Sequence, residues 1–168
     1  MPQAITSFLG IDPGAAGGAA IISSRQIEIW GFERLTEQEI WFSLWGAIRT
    51  VTNQGNSVFA MIERLSAWPG LTSPTAFKLG RSYGFLRGCL IASGVPFGEV
   101  HPRSWQKTME CLTKGDKKIS RARAQQLFPK MKITHATADA LLIAEFARRS
   151  HGVKPSKRSS NEKVKEKT

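Results

Sequence analysis

The 168-residue chain is predicted to have an α/β fold in which a mixed five-stranded sheet is flanked by helices. Three short β-rich runs come first, and only turn residues separate them, which is typical of an antiparallel meander. A helix, a strand, a second helix, a fifth strand and a group of helices follow in that order. Helices between successive strands favour parallel crossovers, so the pattern indicates an antiparallel edge joined to parallel strands.

The first half of the chain supplies four of these strands. A helix begins at Thr36, where the sequence TEQE is typical of a capping box, and the polar stretch 53–56 ends it. Residues 57–63 are almost wholly apolar, which indicates a strand covered on both faces. The three strands of the meander are predicted over residues 5–11, 18–23 and 27–32.

The second half of the chain is mainly helical. A loop over residues 66–74, which contains two prolines and a glycine, leads into a long helix over residues 75–93. Gly94 and Pro96 end that helix, and residues 97–100 form the fifth strand. The remaining helices are predicted over residues 105–112, 120–128 and 135–150.

The chain is strongly basic, with a formal net charge of +11 at pH 7. Residues 151–168 account for +4 of this charge, which leaves +7 on residues 1–150. We predict one domain over residues 1–150 and a basic, disordered tail over residues 151–168, because the tail is rich in lysine and has no aromatic residue. The charge of the body favours a polyanionic partner such as nucleic acid, although charge also keeps small domains soluble.

The sequence predicts a cytoplasmic protein without membrane contact. No apolar run approaches the roughly 20 residues of a membrane span, and the N-terminus lacks the pattern of a signal peptide. Cys89 and Cys111 lie in apolar surroundings without the spacing of metal ligands. We expect both to be buried free thiols in a reducing compartment.

Three carboxylates are predicted to lie together. Asp12 ends the first strand and Glu63 ends the fourth, so parallel pairing of these strands places both at one sheet edge. Asp139 lies in the first turns of the last helix, between alanines that let the helix approach the sheet. Clustered acids repel one another unless divalent cations bind, and their hard oxygen atoms suit Mg²⁺ or Mn²⁺. The alternative for Asp12 is a hairpin cap, since Asp-Pro-Gly is also ordinary turn chemistry.

Four segments together resemble the RuvC-type Holliday junction resolvases of bacteria and phages, in order across residues 7–147. They are the sequence GIDPG at 10–14, the apolar strand that ends in Glu63, AFKLGRSYG at 76–84 and ADALLIA at 138–144. The resemblance implies a ribonuclease H-like fold, a homodimer, and cleavage of branched DNA, four-way junctions above all. It also implies one or two Mg²⁺ ions, replaceable by Mn²⁺, and a location in the bacterial nucleoid, a phage-infected cell or an organelle.

One position departs from the family pattern. The family usually has a second acidic residue three positions before the last aspartate, and here that position is Ala136. His135 is four positions before Asp139, so it projects from the same helix face and is a candidate metal ligand. The alternative is that His135 is a surface residue at the start of the helix.

The resemblance also assigns residues to DNA. Lys107 and Lys118 fall where the family has lysines that face the scissile phosphate, and Lys117 is an alternative register for the second. Trp68 lies near the position of an aromatic wedge that enters the junction, although it is also compatible with the edge of the core. The other basic residues that we expect to contact DNA are Lys78, Arg81, Lys114 and Arg121.

The expected reaction is hydrolysis of a phosphodiester bond to 5′-phosphate and 3′-hydroxyl ends. Metal ions held by the three acids would activate water and stabilise the leaving oxygen, while Lys118 would neutralise charge on the phosphate. The alternative is a junction-binding architectural protein with a weakened metal site. The absence of an acidic residue at Ala136 supports this alternative. Actin-like sugar kinases and ATPases also begin with a strand, an Asp and glycines, but they need a second lobe and a far longer chain.

The helix over residues 75–93 is the predicted dimer interface. Gly80, Gly84 and Gly88 recur every four residues and form a smooth stripe for close packing. Because each glycine costs about 1 kcal/mol relative to alanine in a helix, three of them indicate close approach by another element. That element is either a second copy of the chain or the sheet of the same chain.

Overall fold

The computed structural model describes residues 5–14, 16–112 and 115–152, which form one sheet and five helices. The strands are β1 (Ile5–Asp12), β2 (Gly18–Ile22), β3 (Ile27–Gly31), β4 (Ser57–Glu63) and β5 (Phe97–Val100). The helices are α1 (Glu37–Asn53), α2 (Ser73–Ala92), α3 (Pro102–Thr108), α4 (Lys117–Leu127) and α5 (His135–Gly152). The predicted residue Lys114 and most of the predicted tail, residues 153–168, lie outside this range.

The sheet has the strand order β3-β2-β1-β4-β5. β1 pairs antiparallel with β2, and β2 with β3, whereas β1–β4 and β4–β5 are parallel. The predicted mixed sheet is therefore confirmed. Ile11 of β1 lies beside Ile62 of β4, so the next residues, Asp12 and Glu63, leave the sheet at the same edge.

Two apolar clusters cover the faces of the sheet. One contains Phe8 and Met61 together with side chains of α3, α4 and α5, and its largest fully buried member is Trp105. The other joins alternate residues of the same strands, such as Leu9 and Ile62, to α1 and α2. Alternate side chains along β1 and β4 thus contribute to the two apolar clusters on opposite faces of the sheet, as expected for central strands.

Helix α5 lies directly on β1 and β2. A Cβ atom added to Gly10 would overlap the Ala140 carbonyl oxygen and the Ala144 nitrogen. One added to Gly18 would lie 2.6 Å from the Ala136 carbonyl oxygen. Glycines in the strands and alanines in the helix therefore allow the close approach that the sequence predicted.

Three helices begin earlier than predicted. Pro74 lies in the first turn of α2 and Pro102 in the first turn of α3, where the missing N–H costs nothing and the fixed φ angle suits a helix. The loop prediction over residues 66–74 was therefore too long. Helix α4 begins at Lys117 because Asp116 caps it: the Lys118 N–H donates to Asp116 Oδ1 at 2.9 Å.

The predicted start of α1 is correct, and the helix has a capping box. Glu39 N–H donates to Thr36 Oγ1, and Thr36 N–H donates to Glu39 Oε2. None of the helices in the described ranges is long and apolar enough to cross a membrane.

Candidate active site

Asp12 is buried at the end of β1, where the chain turns back on itself. Its Oδ1 accepts a hydrogen bond from Gly14 N–H at 3.1 Å, and Gly17 N–H donates to the Gly14 carbonyl at 2.9 Å. A Cβ atom on Gly17 would overlap the Asp12 carbonyl oxygen, so only glycine fits there. The glycine-rich sequence therefore closes a tight turn beside the Asp12 carboxylate.

Glu63 is half-buried at the end of β4, beside Asp12. Its Oε2 accepts a hydrogen bond of 2.7 Å from Trp105 Nε1 on α3. Trp105 has 0% exposure, and its helix follows directly from the strand β5 that pairs with β4. Sequence reasoning missed this contact because its two residues are separated by 42 positions and no local pattern connects them.

Asp139 reaches the same region from the second turn of α5. Its Oδ1 is fully buried and has no hydrogen-bond partner within the described residues. The preceding turn is fixed by Thr137, whose Oγ1 accepts a hydrogen bond of 3.1 Å from Thr134 N–H. The Asp139 carboxyl group has a hydrogen bond with the Ser120 side chain, which lowers its pKa, but Oδ1 has no donor among the described residues. A buried carboxylate oxygen without a donor is costly, so this atom is suited to a bound ligand.

The three carboxylates act on one another electrostatically. Burial, followed by the charge of Asp12, raises the pKa of Glu63 to about 7; Asp139 adds a smaller increase, and the Trp105 hydrogen bond opposes it. Burial also raises the pKa of Asp12 and of Asp139. The positive charge of Lys117 lowers the pKa of all three acids, so the four groups form one electrostatic unit.

The donor chemistry of this unit fits a hard divalent cation. Its three acids offer carboxylate oxygens, one of which is the unpartnered Oδ1 of Asp139. A bound cation would offset the cost of burying their charges and the smaller repulsion between them, the two effects that raise the pKa of Glu63. In the described ranges, however, no three His, Cys, Asp or Glu side chains are grouped in a way that could hold a metal ion. The carboxylate oxygens are thus the donor type that Mg²⁺ or Mn²⁺ prefers, but the described side chains are not arranged as a complete set of metal ligands.

The two lysines that begin α4 have different surroundings. Lys117 is the one whose charge reaches the carboxylates, and it lines a cavity of about 540 Å³ together with Glu33 and His135. Lys118 lies on the neighbouring face of α4, beside Arg121 and again His135. Lys117 is thus the lysine whose charge acts on the acids, and which of the two lysines faces a phosphate stays a prediction.

His135 is exposed at the start of α5, and its charge makes a small contribution that lowers the pKa of Asp139, against the larger effect of burial. Ala136 has a different environment. Its Cβ would lie 3.3 Å from a Cβ added to Gly31 of β3, and its carbonyl oxygen faces Gly18. Position 136 is therefore packed against the β2–β3 edge of the sheet.

Trp68 is on the loop that follows β4, and 53% of it is exposed. The loop is closed by a turn in which Leu71 N–H donates to the Trp68 carbonyl at 3.1 Å, and Gly70 adopts the positive φ of 87° that such a turn requires. Trp68 is thus presented to solvent on a defined turn rather than packed at the edge of the core.

The remaining basic residues differ in their freedom to bind phosphate. Lys78 and Lys107 are exposed on α2 and α3. Arg81 makes a bidentate ion pair with Glu37 of α1, with N–O distances of 2.9 and 3.0 Å. Arg121 donates from Nε to the Ile133 carbonyl at 3.1 Å, so its side chain is held against the loop before α5.

A second contact that sequence reasoning missed connects α2 to the turn after Asp12. Ser82 Oγ donates a hydrogen bond of 2.8 Å to the Pro13 carbonyl. Ser82 belongs to the segment AFKLGRSYG, but a serine inside a helix gives no signal of its distant partner. The turn after Asp12 is therefore also stabilised by a hydrogen bond from α2, which lies outside the sheet.

Comparison with known proteins gives structural matches only. No protein-family model and no curated protein matches the sequence. A Thermus thermophilus RuvC in complex with a Holliday junction substrate has a TM-score of 0.57 at 17% identity, covering 86% of this chain and 96% of that one. A second T. thermophilus RuvC structure has a TM-score of 0.58 at 16% identity, with 86% and 97% covered.

The yeast mitochondrial Holliday junction resolvase Ydc2 is similar at a TM-score of 0.51 and 15% identity, over 90% of this chain and 81% of that one. At these identities the likeness establishes the fold. The resemblance that the four sequence segments carry is confirmed at this level: the chain has the ribonuclease H-like fold of the RuvC-type resolvases.

Proposed function

We propose that the chain is a metal-dependent endonuclease that resolves Holliday junctions or other branched DNA by phosphodiester hydrolysis, leaving 5′-phosphate and 3′-hydroxyl ends. The observation that carries this proposal is the group of three acids with raised pKa values beside Lys117 at one sheet edge. The fold supports it, since one similar structure is a RuvC in complex with a Holliday junction substrate.

In this proposal Asp12, Glu63 and Asp139 hold one or two Mg²⁺ ions, which Mn²⁺ replaces, and His135 is a further candidate ligand. When bound, such ions activate water and stabilise the leaving oxygen. The three acids must be ionised to bind them, and Lys117 supports that state. Lys117 is also placed to compensate the charge of a phosphate at the same edge.

DNA binding is assigned to the basic and aromatic residues around this edge. Trp68 is the proposed wedge at the branch point, because it is exposed on a turn that leaves the same strand end as Glu63. The charge of +11 supplies the attraction to phosphates. The proposed phosphate contacts are Lys78, Lys107, Lys114, Lys117, Lys118 and Arg121, and Arg81 joins them by releasing Glu37.

The proposed enzyme is a homodimer that associates through α2. An added Cβ at Gly80, Gly84 or Gly88 would meet no atom within 4 Å, so the stripe does not pack on the sheet of its own chain. Phe77 and Ile91 lie near its two ends and are 73% and 66% exposed. A second copy is the proposed partner, because a two-fold enzyme matches the two strands of like polarity in a four-way junction.

The second candidate function is a junction-binding architectural protein. Two observations favour it: Ala136 stands at the usually acidic position, and the acids in the described residues do not form a finished metal site. Such a protein would bind branched DNA with the same basic surface but would not cut it.

A nicking assay separates the two functions. The unmodified chain is incubated with four-way, Y-shaped and linear DNA, with and without Mg²⁺, and Asp12→Asn is the matched control. The nuclease predicts Mg²⁺-dependent nicks in branched DNA that the control does not make. Binding to the four-way junction without any nick would support the architectural protein instead. The site of action, in a nucleoid, a phage-infected cell or an organelle, remains a prediction.

A further inference from the structure

The indole of Trp105 is the only nitrogen donor found on the Glu63 carboxylate in the described residues. Trp105 is fully buried, and its single polar side-chain atom, Nε1, donates to Glu63 Oε2 at 2.7 Å. This length lies at the short end of the ordinary range for N–H···O hydrogen bonds. A large apolar side chain with one polar atom is thus placed with that atom on a candidate metal ligand.

The position of this indole is fixed by its helix. Trp105 N–H donates to the His101 carbonyl at 3.4 Å, and Met109 N–H donates to the Trp105 carbonyl at 2.8 Å. The chain after the helix is fastened to α4, where Arg123 Nε donates to the Met109 carbonyl at 2.8 Å. The ring itself is packed in the cluster that covers the α5 face of the sheet. Trp105 therefore has little freedom to turn away from Glu63.

Glu63, by contrast, is fixed at one oxygen only. It is the last residue of β4, and its other oxygen, Oε1, accepts no hydrogen bond from the described residues. A carboxylate held at one oxygen cannot rotate freely about its last bond, so the direction of the second oxygen is set as well. The residue that makes the hydrogen bond thereby decides where the free oxygen lies.

We infer that Trp105 is a positioning residue, which holds Glu63 through Oε2 so that Oε1 is available to a divalent cation. The ligand in this inference rests on the proposed function, whereas the hydrogen bond itself does not. Carboxylates that bind metals are commonly oriented by such outer partners, and loss of the partner typically weakens metal affinity about 10- to 100-fold.

Trp30 provides a matched control. Its Nε1 is also buried, but it has no hydrogen-bond partner within the described residues. Trp30→Phe and Trp105→Phe therefore make the same chemical change in the same sheet sandwich, and only the second removes a donor from a carboxylate. Trp30 is only half-buried and packs on the other face of the sheet, so the melting temperature of each variant serves as the measure of lost packing. A positioning role lowers the Mg²⁺ affinity of Trp105→Phe only.

The first measurement uses the indole N–H signals of the full chain in an NMR spectrum without metal. We expect Glu63→Gln to shift the signal of Trp105 and to leave that of Trp30 in place. This measurement needs no Trp105 variant, so it remains decisive even where Trp105→Phe fails to fold. An unchanged Trp105 signal would overturn the inference, whatever the chain does to DNA.

The second measurement is the affinity for Mg²⁺, obtained by calorimetry on the full chain. We expect Trp105→Phe to bind Mg²⁺ about 10- to 100-fold more weakly and Trp30→Phe to bind as the unmodified chain does. In a Glu63→Gln background, Trp105→Phe should cause no further loss, because the residue acts through Glu63. Unaltered affinity in Trp105→Phe, or an equal loss in Trp30→Phe, would overturn the positioning role. Absence of Mg²⁺ binding in the unmodified chain would overturn the proposed function and the cation in this inference, while the NMR result would still report on the hydrogen bond.

Discussion

In the proposed nuclease, Asp12, Glu63 and Asp139 belong to a site that also has to admit DNA. We expect Asp12→Asn, Glu63→Gln and Asp139→Asn each to lower the cleavage rate on the order of 100-fold or more, because an amide is a poor ligand for a hard cation. Junction binding should be unchanged or tighter, since less negative charge faces the phosphates. Nicking rates and gel-shift titrations on the same four-way junction measure both effects. Cleavage at a near-native rate in one variant would remove that residue from the site.

The raised pKa of Glu63 predicts a pH-dependent stability. Its pKa is about 7 in the folded chain against an ordinary value of 4.5, so between these pH values the folded chain holds a proton that the unfolded chain has released. The stabilising contribution is therefore complete below pH 4.5 and is lost as the pH rises to about 7. Burial of Asp12 and Asp139 acts in the same direction.

We accordingly expect the melting temperature without divalent ions to be lower near pH 8 than near pH 5.5. Glu63→Gln should reduce this difference, because the amide has no proton to lose, and Mg²⁺ should raise the melting temperature most at the higher pH. Thermal unfolding scans of both proteins at the two pH values measure the effect. A melting temperature that rises from the lower to the higher pH in the unmodified chain would contradict it.

The sequence predicts individual residues of the candidate site where their position depends on a local pattern, such as the end of a strand. Asp12, Glu63 and Asp139 could be predicted to lie together because each stands at the end of a strand or near the start of a helix, and their roles stay a prediction. The choice between Lys117 and Lys118 was not decided, since it depends on the Asp116 cap, which starts α4 three residues before the predicted position. Trp105 was missed as a partner of Glu63, because an interaction between distant elements leaves no periodic signal.

The loop between β4 and α2 exposes Trp68 to solvent. We expect Trp68→Ala to reduce junction cleavage more than binding to linear duplex, since stacking on an opened base step contributes about 1 to 3 kcal/mol. The melting temperature should change little, because the side chain is 53% exposed. Trp45→Ala, which alters a tryptophan of α1 with 40% exposure, is the control. Equal losses on both DNAs with a lower melting temperature would assign Trp68 a structural role instead.

The glycine stripe of α2 predicts how two copies associate. Gly84→Leu places a bulky side chain where the partner helix would lie, so we expect the dimer to dissociate in sedimentation experiments at micromolar protein. Gly46→Leu is the matched control, because an added Cβ there also meets no atom within 4 Å, but it lies on α1. A chain that sediments as a monomer without any substitution, and still cuts both strands of a junction, would refute the dimer.

All ten elements were predicted in the right order. The main errors are the starts of α2, α3 and α4 and the end of α3, which lies at Thr108 rather than at the predicted residue 112. Apolar periodicity identifies the body of a helix, whereas its first turn depends on caps and on proline, as at Pro74, Pro102 and Asp116. The mixed pairing of the sheet was accessible because short turns favour antiparallel pairs and intervening helices favour parallel ones. The exposure of the glycine stripe was not accessible, because sequence alone does not tell which face of α2 meets the sheet.

The net charge of +11 belongs to the whole molecule, and residues 151–168 carry +4 of it. Deletion of residues 155–168 should weaken non-specific binding to duplex DNA. It should also lower the salt dependence, by about 0.9 in the logarithmic slope for each phosphate that the shortened chain no longer neutralises. Cleavage at saturating enzyme should persist. Binding titrations at several salt concentrations, with a melting curve as the folding control, measure this. A folded but inactive truncated chain would show that the tail belongs to the catalytic unit.

The packing of α5 along β1 also has a consequence for synthesis of the protein. Asp12 and Glu63 leave the ribosome early, but the glycines of β1 and β2 remain uncovered until α5 has been made. Because that helix brings Asp139, a nascent or prematurely released chain holds two acids of the site without the third. In the proposed nuclease, a nascent chain therefore does not have the complete group of acids, and does not cut DNA, until α5 has been made.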